Sequence, residues 1–189
     1  MAYKILTREN YIENTWAGGV TNQLMIHPEN ATLQERNFLF RISSATCGPD
    51  ENKFSNFEGY NRYITPLDND LRLVNNGDEI TLKPFEILLF DGGDDTSSYS
   101  AVRDFNLILK KGVTGSMRSE TITDKARFKI CGGMNLLFNY NSVMKLIIGE
   151  KEYELQPFEA LYVETDELIV ELINVDSDYT NILVIEVEI

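Results

Sequence analysis

The amino-acid sequence predicts an all-β protein built from two tandem antiparallel modules. Three observations lead to this fold class. One stretch of the chain is repeated without a gap, apolar residues alternate along most segments, and no segment of any length shows a helical period. Two copies of a small strand-and-turn module are typical of barrels or double-sheet jelly rolls.

The repeat covers residues 71–90 and 144–163, which align at an offset of 73 positions. Each copy is predicted to form a strand, a turn and a second strand that follows a Leu-x-Pro-Phe-Glu corner. A gapless match that includes Pro-Phe-Glu is poorly explained by chance. Seven positions are identical: Leu73/Leu146, Glu79/Glu152, Leu82/Leu155, Pro84/Pro157, Phe85/Phe158, Glu86/Glu159 and Leu88/Leu161.

A second, shorter sequence similarity extends the repeat toward the end of each half. The run Asn-Leu-Ile-Leu that begins at Asn106 resembles Asn-Ile-Leu-Val at Asn181, at an offset of 75. Residues 112–123 are small and polar, which predicts a linker. The predicted division is therefore an N-terminal half at residues 1–115 and a C-terminal half at residues 116–189, which we expect to pack as one compact unit.

The composition limits the classes of binding partner and the cellular location that we expect for the protein. The net charge of −13 disfavours binding to nucleic-acid backbones and to anionic membrane surfaces. The sequence shows neither a signal-peptide pattern nor an apolar run of membrane-spanning length, so a cytoplasmic location is expected. Cys47 and Cys131 match no disulfide or CxxC spacing, and each is predicted to be a small buried apolar residue.

The first elements are a strand at residues 3–6 and a segment around the chain's one tryptophan. Two glycines, Gly18 and Gly19, follow Trp16 and permit a sharp turn or a close approach of the backbone to another chain or a ligand. Trp16 is either an anchor of the core or one wall of a pocket, and both interpretations stay open.

Residues 37–44 alternate as a strand, which places Arg41 and Ser43 on one face and Phe38, Phe40 and Ile42 on the other. An arginine in such a strand points to solvent or into a polar cavity, and solvent is the more frequent outcome.

A long irregular segment at residues 46–61 follows, with three aromatic side chains that predict a loop packed onto the rest of the molecule. Compact loops of this length are often functional. Arg62 comes directly after this loop, at the start of a strand predicted for residues 62–66.

The sequence offers little for metal or nucleophilic chemistry. His27 is the one histidine and is predicted to lie in a loop beside Pro28. One imidazole cannot form a multi-histidine metal site, or a Ser-His or Cys-His pair without further support. The acidic segment at residues 91–98 lacks the spacing of an EF-hand. No metal and no cofactor are expected.

Four sequence blocks resemble the HutD/Ves family of bicupin-like bacterial proteins, some of which are linked to histidine utilisation. The resemblance implies a bicupin fold and a central pocket that the motif arginines approach. Two departures concern the first block, where the family usually has Trp-x-Asn-Gly-Gly-Gly-x-Thr: here Ala17 precedes the glycine pair and Val20 follows it. A third is Phe40, where the family usually has Trp before the arginine. The blocks are Trp16-Ala17-Gly18-Gly19-Val20-Thr21, the run from Phe40 to Ala45, Phe54-Ser55-x-Phe57-x-Gly59-x-x-Arg62, and Asp104-Phe105-Asn106.

The leading prediction is metal-independent binding of a small carboxylate metabolite, as a sensor or modulator of amino-acid catabolism. A guanidinium group presents a planar donor fork that matches a carboxylate. For a protein tied to histidine breakdown, urocanate or formylglutamate would be the natural candidates. The predicted ligand-binding residues are Arg62, Arg41, Trp16, Thr21, Ser43 and Asn106.

Two alternatives belong to other functional classes. One is a metal-free isomerase or hydrolase that uses Glu, Asp or Tyr with an arginine, for which the repeated Glu86 and Glu159 are candidates, although a corner position favours a structural role. The other is a protein-interaction module, such as a homodimer that pairs through the apolar C-terminal strand at residues 182–189 as a sheet edge.

Overall fold

The computed structural model describes residues 2–131, 133–164 and 167–188. These residues form β-strands connected by turns, with one 3-10 turn at Arg8–Asn10. No helix in this part of the chain is long and apolar enough to cross a membrane. The predicted all-β class is confirmed.

The chain divides into two compact units. The central unit comprises Tyr11–Val113, and the terminal unit comprises Met1–Asn10 together with Thr114–Ile189. The first ten residues thus belong with the C-terminal half, whereas the sequence-based division assigned them to the N-terminal half. The reason is that the first strand, β1 (Ala2–Leu6), pairs with a strand from the second copy of the repeat.

The central unit consists of two antiparallel sheets. Apolar side chains of both sheets, among them Ile64, Leu71, Leu73 and Val102, form a shared core between them. The six-stranded sheet has the order β2 (Ile12–Trp16), β3 (Gly19–His27), β4 (Phe40–Cys47), β11 (Val102–Lys110), β6 (Tyr60–Pro66) and β9 (Leu88–Asp91). The four-stranded sheet has the order β5 (Asn52–Lys53), β10 (Thr96–Ser98), β7 (Leu71–Asn75) and β8 (Asp78–Leu82).

The terminal unit is likewise built from two antiparallel sheets around an aliphatic core, which includes Leu137, Leu146, Ile182 and Val184. The five-stranded sheet has the order β1, β17 (Ala160–Glu164), β14 (Met134–Asn139), β19 (Thr180–Val187) and β12 (Gly115–Ile122). The four-stranded sheet has the order β13 (Lys125–Cys131), β18 (Glu167–Asn174), β15 (Met144–Ile148) and β16 (Lys151–Leu155).

The sequence repeat is also a structural repeat. In both copies a hairpin of the smaller sheet, β7–β8 or β15–β16, is followed by a corner that carries the chain into the larger sheet at β9 or β17. Phe85 and Phe158 occupy the left-handed region at this corner, with φ of 67° and 68°. Their amides donate to the carbonyls of Pro66 and Asn139, at 2.9 and 2.8 Å. A phenylalanine rarely adopts this conformation, so its recurrence shows that the two corners have the same design.

The repeated glutamates hold the corner together. The Glu86 carboxylate accepts a hydrogen bond from the amide of Lys83 at 2.7 Å, and Glu159 accepts one from the amide of Gln156 at 2.9 Å. The amides of the two glutamates donate in return to the carbonyls of Lys83 and Gln156. Both glutamates are therefore turn residues in the structure, as their corner position suggested.

The shared corner shows which residues of the two units are structurally equivalent. It makes Pro66 equivalent to Asn139, and these residues pair with Asp104 and Ile182. By the same register Asn106 corresponds to Val184. The sequence alignment of Asn106 with Asn181 is therefore wrong by three positions. Both runs are strands of alternating residues, and such strands resemble each other at several offsets.

Three sequence-based assignments need correction. The predicted linker at residues 112–123 contains β12, whose Met117 and Ile122 are buried while Arg118 and Glu120 form ion pairs. The predicted edge strand at residues 182–189 is not an edge over residues 182–187, because β19 pairs with β12 on one side and with β14 on the other; residue 189 lies outside the described residues. His27 ends strand β3 instead of lying in a loop, and its ring stacks on Phe40.

Candidate functional site

The inner face of the six-stranded sheet of the central unit borders a cavity of about 330 Å³, which we call the arginine cavity. Strands β4, β6 and β11 contribute its buried polar side chains, and the segment around Phe54 and Phe57 contributes aromatic ones. All six residues predicted to bind a ligand line this one cavity: Trp16, Thr21, Arg41, Ser43, Arg62 and Asn106. Their role in binding stays a prediction.

Arg62 is a buried cation with an incomplete set of partners. It is 7% exposed and donates from one terminal nitrogen to Asn106 Oδ1 at 2.7 Å. Its Nε is buried and has no hydrogen-bond partner in the described part of the chain. The guanidinium lies over the ring of Phe54 at 4.6 Å and near that of Phe90 at 5.3 Å, as cation–π contacts require. Burial lowers the pKa of Arg62 to about 10, so the group stays charged at neutral pH.

Arg41 is the second buried cation, and of the two orientations that the sequence left open it takes the one toward the cavity. It is 6% exposed, and its Nε donates to Gln23 Oε1 at 2.7 Å, while a terminal nitrogen donates to Ser43 Oγ at 3.1 Å. Both partners are neutral, so within the described part of the chain no carboxylate is paired with this guanidinium. Burial lowers the pKa of Arg41 to about 10 as well.

Asp104 is the carboxylate of the cavity, and it was not among the predicted site residues. Asn106 connects it to Arg62: the Asn106 amide nitrogen donates to Asp104 Oδ1 at 2.6 Å, and the Asn106 oxygen accepts from Arg62. The Cys47 thiol lies 3.8 Å from Asp104 Oδ2. Burial raises the pKa of Asp104 to about 6 even though the charge of Arg62 lowers it, and burial raises the pKa of Cys47 to about 12.

Trp16 lies at the rim of the arginine cavity and not in the core. Its side chain is 39% exposed, and its indole nitrogen donates to Thr21 Oγ1 at 3.1 Å. The glycine pair places this ring. A Cβ at Gly18 would meet the Trp16 ring at 2.1 Å, and one at Gly19 would meet the carbonyl oxygen of Thr46 at 1.8 Å. The glycines thus allow a close approach to strand β4 and to the indole.

We expect Gly18→Ala to displace the Trp16 ring, because a real Cβ essentially never comes within 3.0 Å of other heavy atoms. Since the chain has one tryptophan, its fluorescence emission reports this position alone. The emission maximum should move in Gly18→Ala and stay unchanged in Gly48→Ala, where a Cβ would meet nothing within 4 Å. An unchanged spectrum in both variants would contradict this role of Gly18.

The terminal unit differs at the corresponding positions. Ile182 and Val184 are buried in its aliphatic core where the central unit has Asp104 and Asn106. Its Arg118 is half-exposed and lies between two carboxylates, with Glu186 at 2.8 Å and Glu120 at 3.3 Å. At these positions the same fold is thus built with aliphatic side chains, so the fold does not require Asp104 and Asn106.

The described residues contain no group of three or more His, Cys, Asp and Glu side chains that could hold a metal ion. Sequence reasoning also missed Gln23, Phe54 and Asp104 as parts of the site. The only available signal was that Phe54 and Asp104 belong to the same sequence blocks as Arg62 and Asn106. The side chain of Cys131 lies outside the described residues.

Comparisons with solved structures support the fold. A conserved protein of unknown function from Pseudomonas aeruginosa PAO1 has a TM-score of 0.88 and 20% identity, over 100% of both chains. HutD from Pseudomonas fluorescens SBW25, in a formate condition, has a TM-score of 0.79 and 24% identity, over 99% of this chain and 98% of that one. A cupin 2 conserved barrel domain protein from Leptotrichia buccalis has a TM-score of 0.63 and 13% identity, over 98% and 96%. The neighbours thus include a cupin.

A comparison with curated proteins finds no match. The family model for HutD matches residues 8–179, which covers the sequence blocks, both copies of the repeat and every residue of the arginine cavity named above. The chain therefore belongs to the HutD family.

Proposed function

We propose that the arginine cavity binds a small carboxylate metabolite, and that the protein acts as a sensor or modulator of amino-acid catabolism. The observation that carries the proposal is the unpartnered, buried Nε of Arg62 beside a second buried guanidinium. Burying a cation costs several kcal/mol unless an anion and hydrogen bonds compensate it. A carboxylate in the cavity would supply both.

The neighbouring residues suit such a ligand. Ser43 and Thr21 offer hydroxyl groups, and Trp16, Phe54 and Phe57 offer apolar surface for the rest of the molecule. A vicilin from Solanum melongena, which shares the fold at 6% identity, contains different anionic ligands in structurally similar pockets. The family name suggests histidine catabolism, so urocanate and formylglutamate are the first ligands to test.

The test is a thermal-shift screen that compares carboxylates with amides of the same shape, such as acetate with acetamide and succinate with succinamide. A ligand at about 100 times its Kd stabilises the folded state by about 3 kcal/mol, which raises Tm by roughly 5–10 °C in a chain of this length. We expect a saturable rise with at least one carboxylate and none with its amide. No response to any carboxylate, urocanate and formylglutamate included, would refute the proposal.

A second candidate function is a metal-free enzyme, and Asp104 is the observation that favours it. Its pKa of about 6 and its place on the cavity wall suit a group that transfers a proton beside a charged arginine. Turnover of a bound carboxylate that Asp104→Asn abolishes, with binding retained, would favour this alternative over binding alone. Glu86 and Glu159 have no part in it, since both belong to the corners.

A further inference from the structure

Asp104 is positioned to govern the charge balance of the arginine cavity. Among the described residues that line the cavity, the buried charged groups are Arg41, Arg62 and Asp104. Lys53 also lines it, but its ammonium is paired with Asp95 at 2.9 Å, and both of these side chains are about 70% exposed. With Asp104 ionised, the buried groups carry one net positive charge.

The surroundings of Asp104 leave its charge only partly compensated. On β4 it faces the neutral Cys47 thiol and the Ala45 amide, which donates to it. On β6 the facing group is Arg62, which reaches it through the side chain of Asn106 instead of directly. No guanidinium hydrogen-bonds to this carboxylate in the described structure, so a second anion in the cavity would compete with it for the same cations.

We propose, on the basis of the function proposed above, that Asp104 determines the charge of the anion that the cavity accepts. With Asp104 ionised, a ligand with one negative charge neutralises the buried groups. A ligand with two would leave an excess negative charge in a buried site, which is strongly disfavoured. A dianion therefore binds together with a proton, and the proton resides on Asp104.

The pKa of Asp104 agrees with this geometry. Burial raises it to about 6, and a neighbouring dianion raises it further because like charges favour the protonated form. At neutral pH Asp104 is mostly ionised before the dianion binds and protonated afterwards. The complex thus takes up a proton from the buffer, and the affinity for the dianion rises as the pH falls.

Succinate and succinamate form a matched pair of probes, since they have the same length and differ by one charge at neutral pH. Calorimetric titration in two buffers of different ionisation enthalpy counts the protons taken up. At about pH 7.5 we expect about one proton for succinate and close to none for succinamate. Between about pH 7.5 and pH 6, succinate should bind about tenfold more tightly for each unit that the pH falls, and this dependence should level off below about pH 6, where Asp104 is already protonated before succinate binds. In Asp104→Asn, succinate should bind without proton uptake and without this pH dependence.

Asp91→Asn is the matched control, because Asp91 is paired with Lys111 outside the cavity. It should keep the wild-type proton count. Binding of both probes to wild type without proton uptake would overturn this inference and leave the proposed function standing. If neither these probes nor the other carboxylates of the thermal-shift screen bind, both fail. The proton count is measured on wild type, so the inference stays testable even if Asp104→Asn does not fold.

Discussion

Replacement of Arg62 by Met is expected to abolish the response of the protein to carboxylates. Methionine keeps an extended, apolar side chain among Phe54, Phe57 and Phe90 but removes every donor and the charge. Hydrogen bonds to charged groups contribute about 1.5–3 kcal/mol each, so losing a two-point contact weakens binding about 100-fold or more. Titration calorimetry with a carboxylate that stabilises wild type measures this loss directly.

Arg36→Met is the control for Arg62→Met. The Arg36 guanidinium also lies over the Phe57 ring, at 5.3 Å, but Arg36 does not line the cavity. It should retain wild-type affinity. Equal affinity in Arg62→Met and wild type would place the carboxylate elsewhere.

Arg62→Met should also make stability more dependent on pH. Without the cation, the folded-state pKa of Asp104 rises above its present value of about 6, further from the unfolded value. For a carboxyl group with a raised folded-state pKa, the contribution to stability is complete below the unfolded pKa and is lost as the pH rises through the folded one. The variant should therefore lose more stability than wild type between about pH 5 and pH 8, which urea unfolding at the two pH values measures.

Asn139→Ala is expected to destabilise the terminal unit by about 3–5 kcal/mol. The Asn139 side chain is fully buried, and the two N–H groups of its amide are shared among three backbone carbonyls: those of Ser142 at 2.6 Å and of Leu155 and Gln156 at 3.0 Å. Its removal takes this donor away from all three at the point where the chain enters the repeated corner. Urea unfolding followed by far-ultraviolet circular dichroism measures the loss.

Two further variants separate hydrogen bonding from packing at this position. Asn139→Leu keeps a similar volume without the donors and should be destabilised to a comparable extent. Asn181→Ala removes a hydrogen bond with Thr121 between exposed side chains of the same unit, and should cost less than about 1 kcal/mol. A loss below about 1 kcal/mol in both Asn139 variants would show that this network does not hold the corner.

The sequence predicted the fold class because a period of two and a gapless repeat are local signals. The corner illustrates this: Leu-x-Pro-Phe-Glu fixes a turn, and the same turn appears in both units with φ values one degree apart. The six cavity residues were identified from sequence blocks, and the structure brings them together around a single cavity.

What the sequence could not give was decided by contacts between distant strands. Arg41 faces inward because Gln23 and Ser43 accept its hydrogen bonds, and an alternating pattern does not reveal which face is covered. Asp104 belongs to the site because β11 lies between β4 and β6, and the sequence does not reveal this strand order. Strand β12 was mistaken for a linker because its polar residues are paired with each other and with Glu186, a partner far away in the chain.

The pairing of β1 with β17 has a consequence for synthesis of the chain. Domains generally fold as units from the N-terminus while translation proceeds, and every residue of the central unit precedes β12. The central unit can therefore fold on the ribosome while β1, whose Ala2 pairs with Glu164, still lacks its partner. The nascent chain therefore carries this strand without its β17 partner through most of its elongation, with the backbone N–H and C=O groups of an unpaired strand edge.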